Sequence, residues 1–139
     1  MNEARHRFAL RVYYEDTDLA GIVYYANYLK FIERGRSEWI ADLGIDQMSL
    51  RAESGIVFAV RRVEADYLRP AVFGDQLEVT TALKLIGGAR LVLEQAVLRG
   101  DEVLFRAEIT LVCMSAAGQA QRVPPAIRER LSAGRVQQR

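Results

Sequence analysis

Apolar and polar positions alternate most clearly in two stretches of the chain. Over 76–86, Leu77, Val79, Thr81, Leu83 and Leu85 fall on one face, with Gln76, Glu78, Thr80 and Lys84 on the other. Over 102–114, Val103, Phe105, Ala107, Ile109, Leu111 and Cys113 alternate with Glu102, Arg106, Glu108 and Thr110. A period of two is that of a half-buried strand. Residues 56–69 repeat it, with Val57, Ala59, Val63, Ala65 and Tyr67 in phase up to Pro70, and residues 90–99 complete the set. Gly87-Gly88 and Gly100-Asp101 join neighbouring runs and are short enough for hairpins, so an antiparallel meander is expected. Phe8 to Tyr14, rich in β-favouring side chains, reads as a first strand.

Between the first strand and the others the period changes. Tyr28, Ile32, Gly35, Trp39 and Leu43 recur at helical spacing, which predicts a long amphipathic helix closed by Gly44 in the left-handed conformation of a helix end. A glycine inside a helix costs about 1 kcal/mol relative to alanine, so Gly35 points to close approach of another backbone and to a helix lying tight against the sheet. Residues 46–53 read as a short second helix. Pro124-Pro125 opens a terminal helix through Leu131, leaving 132–139 as a polar tail expected to be mobile. The class is therefore α+β, one domain over 1–131, with an antiparallel sheet of five strands packed by one face on the long helix.

Composition narrows the chemistry. Of 139 residues, 19 are Lys or Arg and 18 are Asp or Glu, so the net charge of +1 offers no field for a polyanion and disfavours a nucleic-acid binder. One Cys and one His leave no intrachain disulfide, no Cys/His zinc cluster and no Ser-His-Asp triad. No stretch approaches the ~20 apolar residues of a membrane span and no signal-peptide pattern opens the chain, so a cytoplasmic protein is expected.

Candidate chemistry lies between the first strand and the long helix, where Glu15, Asp16 and Asp18 precede Gly21 and the helix start. Acidic residues in that position commonly form turns or favour the positive end of a helix, so their presence alone defines no site. The pattern Y-x-D-T-D-x-x-G-x-V-Y-x-x-N-Y from Tyr14 to Tyr28, however, resembles the 4-hydroxybenzoyl-CoA thioesterase family of hot-dog proteins. Within it the chain is most similar to the bacterial branch encoded beside the Tol-Pal envelope genes, which Tyr28-Leu29-Lys30-Phe31 and Glu33-Arg34 also fit.

The resemblance implies a long central helix wrapped by the sheet, and metal-independent hydrolysis of a short aliphatic or aromatic acyl-CoA to the free acid and CoA. No cofactor is implied, coenzyme A being part of the substrate. It also implies Asp18 as the catalytic carboxylate and the backbone N–H of Tyr25 as oxyanion donor. A carboxylate can attack a thioester carbonyl or activate water, and helix-start amides favour the negative charge that develops. Many members of that branch carry His where this chain has Tyr25. Tyr24 and Asn27 are candidates for orienting the loop and the substrate, and are equally ordinary packing and capping residues. Arg61, Arg62 and Arg90 are candidates for the CoA phosphates; alternation along a strand puts Arg61 and Arg62 on opposite faces, so at most one should face any groove. Asp16 is expected to be structural, Glu33 a solvated helix residue, His6 a surface residue and Cys113 core. The expected partner is acyl-CoA, with acyl carrier protein an alternative donor, and the chain is expected to form a homodimer or homotetramer paired edge to edge, each active site at the interface.

Three other readings use the same residues. Val12-Tyr13-Tyr14 before Asp16-Thr17-Asp18 could be the strand and D-x-D element of a magnesium-dependent phosphatase, but that enzyme needs a parallel α/β core and a later lysine, and only Lys84 follows the first helix. A hot-dog dehydratase needs a catalytic histidine, for which only His6 is on offer. A non-catalytic acyl-thioester binder or envelope-complex adaptor would have no use for an intact Asp18.

Overall fold

A computed structural model describes residues 5–133. In chain order the elements are β1 (His6–Arg11), a single 3-10 turn (Tyr14–Asp16), α1 (Asn27–Asp42), α2 (Gln47–Ser54), β2 (Ile56–Tyr67), β3 (Gln76–Ile86), β4 (Arg90–Arg99), β5 (Glu102–Ser115) and α3 (Pro125–Ala133). The strands form one antiparallel sheet in the order β1-β3-β4-β5-β2, with β3, β4 and β5 as the expected hairpin meander. The α+β architecture follows the sequence expectation, and an all-antiparallel sheet overturns the phosphatase reading, which needs a parallel core. Residues 132 and 133 of the expected tail belong to α3; the remainder of that tail lies outside the described residues.

The apolar stripe of α1 buries Tyr28, Phe31, Ile32, Trp39 and Ile40 against the inner face of the sheet, where Val79, Leu83, Leu91, Leu93, Val97, Phe105, Ile109 and Leu111 wait. Gly35 permits the close approach, but to a side chain rather than the expected backbone: a Cβ built there would sit 2.4 Å from Val79 Cγ1. Under the same helix Gln95, 2% exposed, donates through Nε2 to the Ile32 carbonyl (2.9 Å) and to Thr81 Oγ1 (2.9 Å), and accepts from Arg36 (3.0 Å). That satisfies every polar group of the amide at the interface.

Three β-bulges change the phase that strict alternation predicts. Pairing of β2 with β5 slips between Val60 and Arg62, pairing of β3 with β4 between Leu83 and Leu85, and pairing of β4 with β5 between Val97 and Leu98. They leave one extra residue each, Arg61, Lys84 and Leu104 respectively, and reverse the faces beyond it, so Val103, expected in phase with Phe105, is 36% exposed while Leu104 and Phe105 are both buried. Leu85 consequently points outward, 38% exposed, while Ile86 packs on the core. Val57 and Ala59 pair with Met114 and Val112 on the outer face, and Ile56 and Phe58 take the inner positions.

β1 ends three residues earlier than its composition suggests. Asp16 Oδ2 accepts from the Tyr13 N–H (2.8 Å) and folds the chain into the 3-10 turn, while Val12 is held by Asp75 and Gly74 of the β2–β3 connection instead of a strand partner. His6 is not a free surface residue: its Nε2 lies 2.7 Å from Asp42 Oδ2 at the end of α1, with only 16% of the side chain exposed. Cys113 is core as expected, and burial pushes its thiol above the usual range.

Candidate active site

The segment between the 3-10 turn and α1 is held by backbone bonds at both ends. Asp18 N donates to the Ile22 carbonyl and Gly21 N to the Asp18 carbonyl, both at 2.9 Å, closing a turn that Gly21 completes at φ +83, a conformation costly for any other residue. The Asp18 side chain joins the turn: Oδ1 accepts from Ala20 N at 2.9 Å. That contact fixes the carboxylate while Oδ2 meets no donor among the described residues, and Asp18 as a whole is exposed. The aspartate thus builds the turn through Oδ1 and leaves Oδ2 to solvent.

The walls are tied to the same turn. Thr17 bridges Val23, and Ile22 bridges Val72. The Asp16 carbonyl accepts from Tyr24 N and from Asn27 Nδ2, each at 2.9 Å. Asn27 therefore does orient the loop against the helix start, as one of its two expected roles required, and caps nothing; the N-cap position falls on Ala26 without a side-chain cap. Asp16 is structural, and Glu33 sits on the exposed face of α1, accepting from Ser37 Oγ at 2.8 Å.

Three successive N–H groups enter α1 differently. Val23 N donates to the Ala71 carbonyl (2.9 Å) and Tyr24 N to that of Asp16, but Tyr25 N, like Ala26 N after it, meets no acceptor among the described residues. It is a free donor at the positive end of a 16-residue helix, in a segment fixed to the Asp18 turn.

Aromatic residues missed by the sequence reading pack behind it. Tyr28 stacks on Phe105 at 5.1 Å between ring centres and its buried hydroxyl accepts from Ala71 N (3.0 Å). Tyr67, at the end of β2, meets Phe105 (5.0 Å), Tyr28 (5.6 Å) and Tyr25 (6.0 Å) edge-on and donates its hydroxyl to the Tyr25 carbonyl at 3.1 Å. Burial holds both the Tyr28 and Tyr67 phenols above their ordinary range, so both remain protonated around neutrality. The rim is apolar and exposed: Tyr14, Leu19, Tyr25 and Phe73 are all more than half accessible.

The three candidate arginines do come together, contrary to the expectation of opposite faces, because the bulge at Arg61 turns it to the side of Arg62. With Arg90 and the bulged Lys84 they line an outer-face depression of about 440 Å³. Arg62 is paired with Glu64 (2.9 Å) and Lys84 with Glu108, which raises the lysine pKa; Arg61 and Arg90 have no acidic partner among the described residues. A larger groove of about 800 Å³ crosses the same face, lined by Arg7, Asp66, Glu94 and Arg106 among others. Neither cavity includes a residue of the Asp18 loop. Arg99 holds Asp75 and the Pro70 carbonyl beside that loop, and at ~3.3 Å per residue Arg90 lies roughly 30 Å from Arg99 along β4.

A long helix wrapped by a five-stranded antiparallel sheet, with a loop-borne carboxylate at the helix start, defines a hot-dog protein of the thioester-hydrolase class. The chain belongs to the Thioesterase-like superfamily, whose family model it matches over residues 12–131. It is 36% identical over 126 residues to the acyl-CoA thioester hydrolase YbgC of Escherichia coli O6:H1, covering 90% of this chain and 93% of that protein. It is 31% identical over 115 residues to the 1,4-dihydroxy-2-naphthoyl-CoA hydrolase of Thermosynechococcus vestitus, covering 81% of this chain and 77% of that one. The crystal structure of a probable thioesterase from Bartonella henselae superposes with a TM-score of 0.82 at 38% identity, over 86% of this chain and 99% of the other. Among the described residues no helix is long and apolar enough to cross a membrane.

Proposed function

We propose that this protein hydrolyses the thioester of a short aliphatic or aromatic acyl-CoA to the free acid and CoA, in the cytoplasm and without a metal ion, with acyl carrier protein as a second possible donor of the acyl group. The observation that carries the mechanism is the pairing of one unpartnered carboxylate oxygen on Asp18 with one unpartnered N–H at Tyr25 in a single hydrogen-bonded segment. Asp18 takes a proton from a water that attacks the carbonyl carbon, or itself attacks to form a mixed anhydride that water then cleaves to the free acid and restored Asp18; in the attack the carbonyl oxygen gains charge and is met by the Tyr25 N–H and the positive end of α1, and as it collapses the C–S bond breaks and CoA leaves as the thiolate, protonated by the proton that the water gives up. A backbone donor is indifferent to the side chain, so tyrosine in place of histidine at 25 leaves this step intact and shapes the acyl pocket instead. Tyr24 and Asn27 hold the donor segment.

A homodimer formed through β2 completes the site. β2 is a 12-residue edge strand with one side of its backbone unpaired and Val60 and Val63 about 40–50% exposed, which is the template a second copy extends. Arg61, Arg62 and Arg90, far from Asp18 in their own chain, would then serve the CoA phosphates of a neighbouring protomer's substrate. The test is release of CoA thiol from short, medium, long and aromatic acyl-CoAs in the presence of chelator, with the 3′-dephospho form of the best substrate alongside. Turnover with chelator present, and a raised KM for the dephospho substrate that charge removal at Arg61 and Arg90 abolishes, are expected; no turnover of any acyl-CoA contradicts the reading and favours the acyl-thioester binder.

A further inference from the structure

Tyr67 carries a hydroxyl whose position packing does not explain. Its ring contacts with Phe105, Tyr28 and Tyr25 would be made as well by phenylalanine, and the residue is 49% exposed, so burial places no demand for a polar tip. The hydroxyl reaches 42 residues back along the chain to the Tyr25 carbonyl at 3.1 Å. The other partner of that carbonyl is Tyr28 N at 3.4 Å, a long bond in the first turn of the helix.

The neighbouring peptides show what this bond controls. The peptide bearing the Tyr25 N–H is anchored on one side only, through the Tyr24 carbonyl to Asn27 N at 2.8 Å. The next peptide, bearing the Tyr25 carbonyl, is anchored by Tyr67. Between them lies one pivot, the Cα of Tyr25, so clamping both planes fixes the direction of the N–H. Tyr67 is held on two sides: its backbone pairs with Phe105 in the β2–β5 ladder and its ring lies edge-on against Phe105, Tyr28 and Tyr25. The sheet, and not the helix alone, thereby sets the aim of the helix-start donor.

We infer that Tyr67 is a positioning residue for thioester hydrolysis, its hydroxyl holding the Tyr25 main chain so that the free N–H faces the developing oxyanion; this rests on the functional reading above. The hydroxyl exchanges no proton with substrate. Its contribution appears in the transition state, where the donor must be aimed, and is about the same whatever acyl group is bound.

Tyr67→Phe keeps the ring and removes the clamp. Over the acyl-CoA panel kcat should fall about tenfold, the order of one neutral hydrogen bond, by a similar factor for every acyl group, with KM within about twofold and the pH profile unshifted. The melting temperature and oligomer size should match the native protein. Native kcat, a loss confined to one acyl class, a change in KM alone, or a loss that tracks early unfolding each overturns the inference. Asp18→Asn is measured in parallel. If the native protein cleaves no thioester, or Asp18→Asn equals it, the functional reading falls and the inference with it; if both behave as expected and Tyr67→Phe keeps native kcat, the positioning role alone is wrong.

Discussion

Gly35→Ala adds a single methyl group where α1 crosses β3, and its cost can be worked from the structure. The new Cβ would lie 2.4 Å from Val79 Cγ1 and 3.0 Å from Val79 Cβ. Carbon atoms rest at about 3.5–4.0 Å, so the helix must lift by more than about 1 Å or Val79 must leave its rotamer. Val79 has little freedom: it is β-branched, fully buried, and paired on both sides, to Phe8 of β1 and Val97 of β4. Lifting the helix instead stretches the 2.9 Å bond from Gln95 to the Ile32 carbonyl beyond hydrogen-bond range. Overpacking costs about 1–3 kcal/mol and a buried amide left unsatisfied a similar amount, against about 1 kcal/mol gained from replacing a helical glycine. The variant should therefore lose roughly 1–5 kcal/mol, least if Val79 alone yields and most if the amide bond breaks as well, read as a lower urea midpoint at unchanged slope. Trimming the obstacle in Gly35→Ala/Val79→Ala should recover at least about 1 kcal/mol relative to the sum of the single changes. A single variant as stable as the native protein, or more so, would refute the close approach.

Other consequences follow from the same contacts. Tyr28→Phe preserves the stack on Phe105 but strands the buried Ala71 N–H, and should cost about 1–3 kcal/mol in denaturant unfolding. Asp46 caps α2 by accepting from Met48 N and Ser49 N, which lowers its pKa in the folded protein. A depressed folded value means its stabilisation is present above the unfolded pKa near 3.8 and disappears as pH falls through the lower folded value, so the stability gap between native protein and Asp46→Ala should close in acid and stay constant above about pH 5, as followed by circular dichroism. Val63→Asp on the exposed edge of β2 should abolish the proposed β2-paired dimer in light scattering, because it places a charge in the seam on each copy, whereas an unchanged dimer contradicts pairing through β2.

Where periodicity alone decides structure, the chain was readable: β3 and β4 begin and end where alternation does, and Gly44 closes α1 at φ +83. What was not readable depends on partners distant in sequence. A bulge is a mismatch between two strands, so nothing within a strand's own residues announces that Arg61, Lys84 or Leu104 is the extra one, and the phases of Val57, Ala59, Leu85 and Val103 and the grouping of Arg61 with Arg62 do not follow from alternation. Gly35 signalled close packing but not with what, since Val79 is 44 positions away. In the site, Asp18 and Tyr25 stood out through a motif contiguous in sequence. Tyr67 did not, because its link to Tyr25 exists only after β2 has paired with β5; the one available hint was a tyrosine in the inward phase of a strand just before Pro70. His6 was misjudged for the same reason, its partner Asp42 lying across the helix–strand contact.

Asp18→Asn tests most directly the proposal that the Asp18 carboxylate carries the chemistry. The substitution keeps the side chain's size and the acceptor for Ala20 N that builds the turn, while removing the charge. With the best acyl-CoA, in chelator, kcat of the variant should fall at least about 100-fold with the melting temperature and oligomer size unchanged. A folded Asp18→Asn protein that turns over at the native rate would reduce Asp18 to a turn former and contradict the account.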